Sequence, residues 1–191
     1  MYKRLLELDT QLLIYLNNLG TSSQDVFWYY ITKIVFWIPL YLLFVYIVVK
    51  RFSKREALRI LYTFIALITV ALSLTYYVKE YVLRDRPVNN EGIFNLLRVN
   101  IQPIDYSFFS GHACNSFAIT ALFYLFVRKR VKNAWLFFLW PVLFSYSRIY
   151  FAVHFPSDVL VGALVGTTLA LSFYMLYKKL FLRYNKSSIK A

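Results

Sequence analysis

The amino-acid sequence predicts an all-α protein: a polytopic transmembrane helical bundle of about five spans, with an additional amphipathic helix at the N-terminus. Three observations lead there. Of the 191 residues, 60% are hydrophobic and only 16% are charged, and the mean hydropathy is +0.52, outside the range of ordinary soluble domains. Five stretches (26–49, 57–82, 111–127, 134–153 and 157–177) are long and apolar enough to cross roughly 30 Å of hydrocarbon. Lysine and arginine punctuate these stretches instead of forming a basic face that could follow a duplex, so the net charge of +13 points to membrane topology and not to nucleic acid. The spans use most of the chain, and a single domain over residues 1–191 is expected.

Taken in order, residues 1–20 are too short and too charged to span. Leu5, Leu6, Leu12, Leu13 and Leu16 fall near one side, which predicts a helix lying at the interface. Glu7 and Asp9 interrupt its apolar run, poor material for a cleavable signal peptide. Trp28, Tyr29, Thr32, Lys33 and Trp37 read as interfacial anchoring at the outer end of span 1. Span 2 ends in Lys79 to Pro87 (KEYVLRDRP), and a connector of about 23 residues, Val88 to Ser110, leads to span 3. Its Ile93, Phe94, Leu96 and Leu97 fit an interfacial helix, and its length also allows a lid or headgroup pocket. Ser110-Gly111-His112 opens span 3, and Ser147 to Asp158 (SRIYFAVHFPSD) joins spans 4 and 5. Gly162 and Gly166 in span 5 suit close packing within the chain or, in a non-enzymatic scaffold, a dimer face. Cys114, the sole cysteine, sits in an apolar run and supports neither a disulfide nor a Cys-based metal site.

Five spans put the two termini on opposite sides. One side collects Lys50, Arg51, Lys54, Arg55 and Arg59, then Arg128, Lys129, Arg130 and Lys132, then Lys178, Lys179, Arg183, Lys186 and Lys190. These fourteen cations face one acid, Glu56, so this side carries the whole +13, while the eight cations and eight acids opposite cancel. The positive-inside rule makes the first side, with the C-terminus, cytoplasmic. All three motif stretches then face out of the cytoplasm.

Charge at the mouth of a membrane span is costly unless an anion waits there. Lys79 and Arg86, seven residues apart, share a face of a continuous helix about 10.5 Å apart along its axis, close enough to grip one anion. Pro87 ends that helix and pushes Arg86 toward extended backbone. Snorkelling of Lys79, Arg84 and Arg86 to lipid headgroups is the plainer alternative. At Ser110 to His112, unpaired N–H groups at a helix start favour an anion, and Gly111 lets one approach the backbone; a polar N-cap with an interfacial histidine explains the same residues. Asp158 stands four residues after His154, and a carboxylate on one ring nitrogen would leave the other as a nucleophile. A purely structural His–Asp contact would look the same. Yet the only two histidines, His112 and His154, both lie at the outer mouth beside the motif cations.

The three stretches resemble the three signature motifs of the type 2 phosphatidic acid phosphatase (PAP2) superfamily. Lys79, Arg86 and Pro87 match Lys-x6-Arg-Pro. Ser147, Arg148, His154 and Asp158 match Ser-Arg-x5-His-x3-Asp. Ser110, Gly111 and His112 match Pro-Ser-Gly-His, with Phe109 where proline is usual. The motifs span residues 79–158; residues 1–78 resemble the family only as membrane helices. The resemblance implies a phosphatase that uses neither metal nor cofactor and works through a phosphohistidine. His154 would attack phosphorus, oriented by Asp158. His112 would protonate the leaving oxygen and then activate water. Lys79, Arg86, Arg148, Ser110 and the Gly111 N–H would hold the phosphoryl oxygens. Positioning and positive charge are what phosphoryl transfer chiefly needs.

A site between lipid-exposed helices suits a substrate with a wet phosphate and a tail in the bilayer, so the expected partners are membrane lipids and a lipid phosphate or diphosphate. Outward exposure makes undecaprenyl diphosphate in a bacterial-type inner membrane the first candidate, with a lipid A phosphate and phosphatidylglycerophosphate as runners-up. A lipid phosphotransferase would need the same residues. The non-enzymatic alternatives are a channel, a transporter and a headgroup-binding scaffold; transport is weak with no clear inverted repeat and few mid-membrane polar groups. The sequence does not determine the oligomeric state.

Overall fold

The computed structural model describes residues 2–98, 101, 103 and 105–182. The connector's Asn100 and the tail cations Arg183, Lys186 and Lys190 lie outside the described residues. Among the described residues the protein is helical, without strands.

Helix α1 (Tyr2–Asn18) turns a narrow stripe to the bundle: Asp9, Leu13 and Asn17, spaced one turn apart. Leu13 and Asn17 are fully buried, whereas Leu5, Leu6 and Leu12 are exposed. The leucine side expected to define the helix is therefore split: Leu13 is buried and Leu16 packs beside it, Leu5, Leu6 and Leu12 are exposed, and two polar residues join the buried stripe. Asn17 Nδ2 donates to the Tyr150 carbonyl at 2.6 Å, and Asn17 Oδ1 accepts from the Arg98 N–H at 2.8 Å.

The expected first span is broken. Helix α2 (Ser22–Ile31) stops at Thr32, a 3₁₀ turn occupies Ile34–Trp37, and α3 (Ile38–Arg51) begins anew. Pro39 explains the restart: lacking an N–H, it cannot bond back to Val35, and it is tolerated only in a first turn. The break buries Thr32. Trp28 and Trp37 pack inward, Trp28 against Tyr146 and Tyr150, Trp37 against Trp140 and Phe144. Of the five residues expected to anchor at the interface, Tyr29 and Lys33 are exposed, with the ammonium 4.6 Å from the ring.

Helix α4 (Lys54–Val82) starts with a capping box, Ser53 Oγ accepting from Glu56 N–H at 3.4 Å and Ser53 N–H donating to Glu56 Oε2 at 3.2 Å. It ends at Val82, where Leu83 adopts φ 52°. The continuous helix expected to carry Lys79 and Arg86 on one face does not exist. The left-handed turn, uncommon for a branched apolar residue, sends Arg84 and Arg86 back across the mouth, and Arg86 itself is extended (φ −78°, ψ 154°) as Pro87 demands. In the connector, α5 (Glu91–Phe94) is a single turn; Val88, Ile93 and Leu97 are buried against Leu13, Ile149 and Phe155.

Helix α6 (Gly111–Val127) is the central element, apolar on all sides and packed against α4, α7 (Leu139–Tyr150) and α8 (Pro156–Tyr177). A 3₁₀ segment, Ala134–Phe138, leads into α7. The fourth expected span thus begins as a 3₁₀ segment, becomes an α-helix with Pro141 in its first turn, and ends three residues early in a Schellman turn. In that turn Val153 N–H donates to Arg148 O and Ala152 N–H to Ile149 O, with Ala152 at φ 49°. Helix α8 presses on α6 through its glycines. A Cβ on Gly162 would lie 2.6 Å from Ser110 O, and one on Gly166 would strike Cys114 O, so the pair serves packing within the chain. Cys114 is buried there with Ala71 and Phe109. Among the described residues, three apolar segments are long enough to cross a membrane, within Ile34–Arg51, Lys54–Phe94 and Pro156–Phe181; α6 has 17 residues, about 25 Å.

Candidate active site

The breaks and turns of α4, α6, α7 and α8 meet at one end of the bundle. There Lys79, Arg86, Gly111, His112, Arg148 and His154 line a cavity of about 740 Å³, joined by Asp105 from the connector. Away from this mouth the cavity is walled by apolar side chains of α3 and α4, among them Tyr41, Val45, Val48, Phe64, Ile68 and Leu72.

His154 follows the Schellman turn and is 1% exposed. Its Nε2 lies 3.3 Å from Arg86 Nη1, and its Nδ1 lies 3.4 Å from Ser107 Oγ and 3.6 Å from Asp158 Oδ2. At 3.6 Å the His154–Asp158 pair is a charge contact, longer than a hydrogen bond. Asp158 is already committed. Its Oδ2 accepts from Phe155 N–H at 2.9 Å, capping α8, and from Ser107 Oγ at 2.5 Å, and its Oδ1 accepts from Arg84 at 2.6 Å. Ser107 therefore stands between the carboxylate and the ring. A guanidinium donor on Nε2 and acceptors around Nδ1 favour the tautomer protonated at Nδ1, with its lone pair on Nε2 at the cavity. Burial, reinforced by the Arg86 charge and only partly opposed by Asp158, pushes His154 down to about 4, which leaves the imidazole neutral at physiological pH.

Arg86 is 3% exposed and held on three sides: Nε to Asp105 O at 2.7 Å, Nη1 to Val153 O at 2.5 Å, and Nη2 to Asp105 Oδ1 at 2.5 Å. Lys79 Nζ donates to Asp105 Oδ2 at 2.5 Å and to Tyr106 O at 2.6 Å. The two cations, on different segments, thus converge on one carboxylate. Burial alone would raise Asp105, but the Lys79 hydrogen bond and the Arg86 and Lys79 charges outweigh it and hold the carboxyl at about 2. Arg148 Nη1 donates to Thr32 Oγ1 at 2.5 Å, so the break in the first span positions this third cation. Its Nε is buried in the wall with no hydrogen-bond partner among the described residues, an unused donor of the kind a phosphate oxygen takes up.

His112 is the second residue of α6, its ring 5.0 Å from that of Phe144. Ser110 lies behind the wall: its N–H donates to Asp158 O at 3.0 Å, and its Oγ accepts from Ala113 N–H at 3.4 Å as the N-cap of α6. As an acceptor it retains its own proton for donation. Gly111 lines the cavity, and a Cβ there would come within 3.1 Å of Thr75. Phe109, where the motif usually has proline, is buried with Ala71 and Cys114.

Every residue singled out from the motifs reaches this end of the bundle. Asp105 belongs to none of the three motifs, yet it stands at the centre of the cluster between Lys79 and Arg86. Ser107, Thr32 and Asp9 escaped sequence reasoning, because a serine in a loop, a threonine at a span end and an acid in an interfacial helix carry no local mark of a long-range contact.

The chain belongs to the PAP2 superfamily, whose family model matches residues 56–182. It is accordingly a membrane phosphatase of the PAP2 type. It is 32% identical over 193 residues to the lipid A 4'-phosphatase of Bacteroides thetaiotaomicron, an alignment covering 96% of this chain and 83% of that one. To the undecaprenyl-diphosphatase of Sulfolobus acidocaldarius it is 32% identical over 137 residues, covering 69% of this chain and 58% of the relative. Its fold is that of the phosphatidylglycerolphosphate phosphatase of Bacillus subtilis, with a TM-score of 0.72 at 21% identity, covering 93% of this chain and 88% of that structure.

Proposed function

We propose that the chain hydrolyses a lipid phosphomonoester of the lipid A type at the outer face of a bacterial inner membrane, through a phosphohistidine on His154. The observation that carries this reading is the convergence of Lys79, Arg86, His112, Arg148 and His154 on the polar mouth of a cavity whose remaining wall is apolar. A phosphate seated on the three cations leaves its lipid tail among Val45, Val48, Ile68 and Leu72. Over nearly its full length the chain resembles a lipid A 4'-phosphatase, and this favours lipid A over undecaprenyl diphosphate, the sequence's first candidate.

In the first half-reaction, His154 Nε2 donates its lone pair to phosphorus and the P–O bond to the lipid breaks. The lipid oxygen leaves with a proton from His112, and the ring's positive charge is met by Asp158. In the second, His112 takes a proton from water. The resulting hydroxide attacks phosphorus, the P–N bond breaks, and inorganic phosphate departs. Lys79, Arg86, Arg148 and the Gly111 N–H neutralise the three equatorial oxygens in both transition states, while Ser110, behind the wall, caps the helix that presents Gly111. Asp105 now occupies the Lys79–Arg86 seat, and the entering phosphate displaces it. The zero net charge of the motif side, against +13 opposite, supports an outward-facing site and a cytoplasmic C-terminus.

Phosphate release by purified protein is measured with lipid A, undecaprenyl diphosphate, phosphatidylglycerophosphate and phosphatidic acid, with and without acceptor lipids. Lipid A is expected to give the highest kcat/KM. A preference for undecaprenyl diphosphate would replace the substrate, and activity surviving in His154→Ala would end the mechanism.

A further inference from the structure

The nucleophile's carboxylate is held by a chain of side chains that reaches the interfacial helix. Asp158 is 0% exposed, and its Oδ1 accepts from Arg84 Nη1 at 2.6 Å. The same Nη1 donates to Ser157 Oγ at 2.8 Å, and Arg84 Nη2 donates to Asp9 Oδ2 at 2.8 Å. The guanidinium lies over the Phe155 ring at 4.0 Å. Asp9 belongs to the buried stripe of α1, and its side chain is only 10% exposed. Its Oδ1 accepts the Ser157 backbone N–H at 2.9 Å, and its Oδ2 also binds the Ser157 hydroxyl. An acid from α1 therefore satisfies one of the orphan donors in the first turn of α8, one residue before Asp158.

Such an arrangement is costly to build for stability alone. Three charged groups are largely buried, and a carboxylate and a guanidinium in low dielectric repay desolvation only when their geometry is fixed. What the fixed geometry accomplishes is visible at Asp158. Its Oδ1 is pinned from the α4 side, so Oδ2 has to face Ser107, Phe155 N–H and the His154 ring. We propose that Arg84 and Asp9 are positioning residues for the phosphohistidine reaction: Arg84 clamps the carboxylate that orients His154, and Asp9 on the interfacial helix holds Arg84 in that clamp. The inference rests on the reading of His154 as nucleophile, and it gives α1 a part in catalysis although no α1 side chain lines the cavity.

The clamp also sets charge. The groups facing His154 are Arg86, Ser107 and Asp158 in direct contact, with His112 and Arg148 across the cavity. Arg84 shares the Asp158 charge, so removing it leaves the carboxylate more negative toward the ring and favours the imidazolium. The acid limb of kcat/KM, where His154 loses its lone pair to a proton, then moves to higher pH. Asp9→Asn has the opposite sign, because an unpaired Arg84 draws more of the Asp158 charge.

The test compares Arg84→Gln, Arg84→Lys, Asp9→Asn and His154→Ala in detergent, with a short-chain phosphatidic acid as substrate. It reads kcat, KM, the acid limb and the thermal midpoint. Arg84→Gln is expected to lower kcat about 10²-fold with KM nearly unchanged and the limb moved up, as for a reacting group misplaced by a fraction of an ångström. Arg84→Lys recovers part of kcat, and Asp9→Asn loses less and moves the limb down. If Arg84→Gln and Asp9→Asn lower only the thermal midpoint, with kcat per folded enzyme and the limb unmoved, the clamp is structural and the inference falls. If Arg84→Gln does not fold, Arg84→Lys and Asp9→Asn decide by the same criterion. Activity in His154→Ala would overturn the underlying active-site reading; an inactive His154→Ala beside a wild-type-like Arg84→Gln overturns the clamp alone.

Discussion

The two ends of the bundle are built from the same cations and treat them differently. At the motif end Lys79 and Arg86 are buried, each aimed by two or more partners, and Arg148 keeps a buried donor unused. At the opposite end Arg130 lies over Phe52 at 4.2 Å and donates to Arg51 O, Arg59 lies over Phe181 at 4.7 Å, and the one acid there, Glu56, is taken up by the capping box of α4. Cations of this kind keep contact with water and incur little desolvation cost. Buried cations with fixed geometry create an anion seat. Burial and pre-set direction distinguish a catalytic mouth from a topological one, and residue type does not.

Substitutions at the two ends break or sharpen that contrast. The largest effect is expected from Arg148→Ala, about 10²–10³-fold in kcat/KM, since it removes a preorganised donor for a developing charge; a loss below tenfold would show that Lys79 and Arg86 suffice. The pH profile comes next. With His154 held down at about 4, the free enzyme keeps its neutral nucleophile on lowering the pH well past the ordinary histidine range, so the acid limb of kcat/KM should lie near 4. A limb at 6.5 would mean that the ring is solvated. Asp105→Asn should tighten inhibition by vanadate about threefold to tenfold, because a half-exposed carboxylate no longer competes for Lys79 and Arg86. Weaker vanadate binding would instead make Asp105 the group that aims the two cations. Arg130→Ala, the control from the other end, should stay within about twofold in activity.

Much of this site was legible in the sequence because its parts are local. Lys79 to Pro87, Ser110 to His112 and Ser147 to Asp158 each announce themselves within twelve residues, and the placement of punctuating charge predicts one common side for them. Arg86 is extended because Pro87 follows it, a purely local effect. The joining pieces were not legible. Nothing near Leu83 foretells its left-handed turn, so a continuous helix was the natural expectation for Lys79 and Arg86. Nor does hydropathy reveal that Thr32 ends a helix where it meets Arg148, or that α1 turns Asp9 and Asn17 inward beside Leu13 while Leu5, Leu6 and Leu12 stay exposed.

The central claim is that His154 carries the phosphoryl group. Enzyme mixed with a ³²P-labelled lipid phosphate and quenched in alkali within one turnover should yield labelled protein, with the label acid-labile, alkali-stable and located by mass spectrometry on the peptide containing His154. His154→Ala should show none. Label on His112 or on a serine, or steady turnover with no labelled protein at any quench time, would contradict the account.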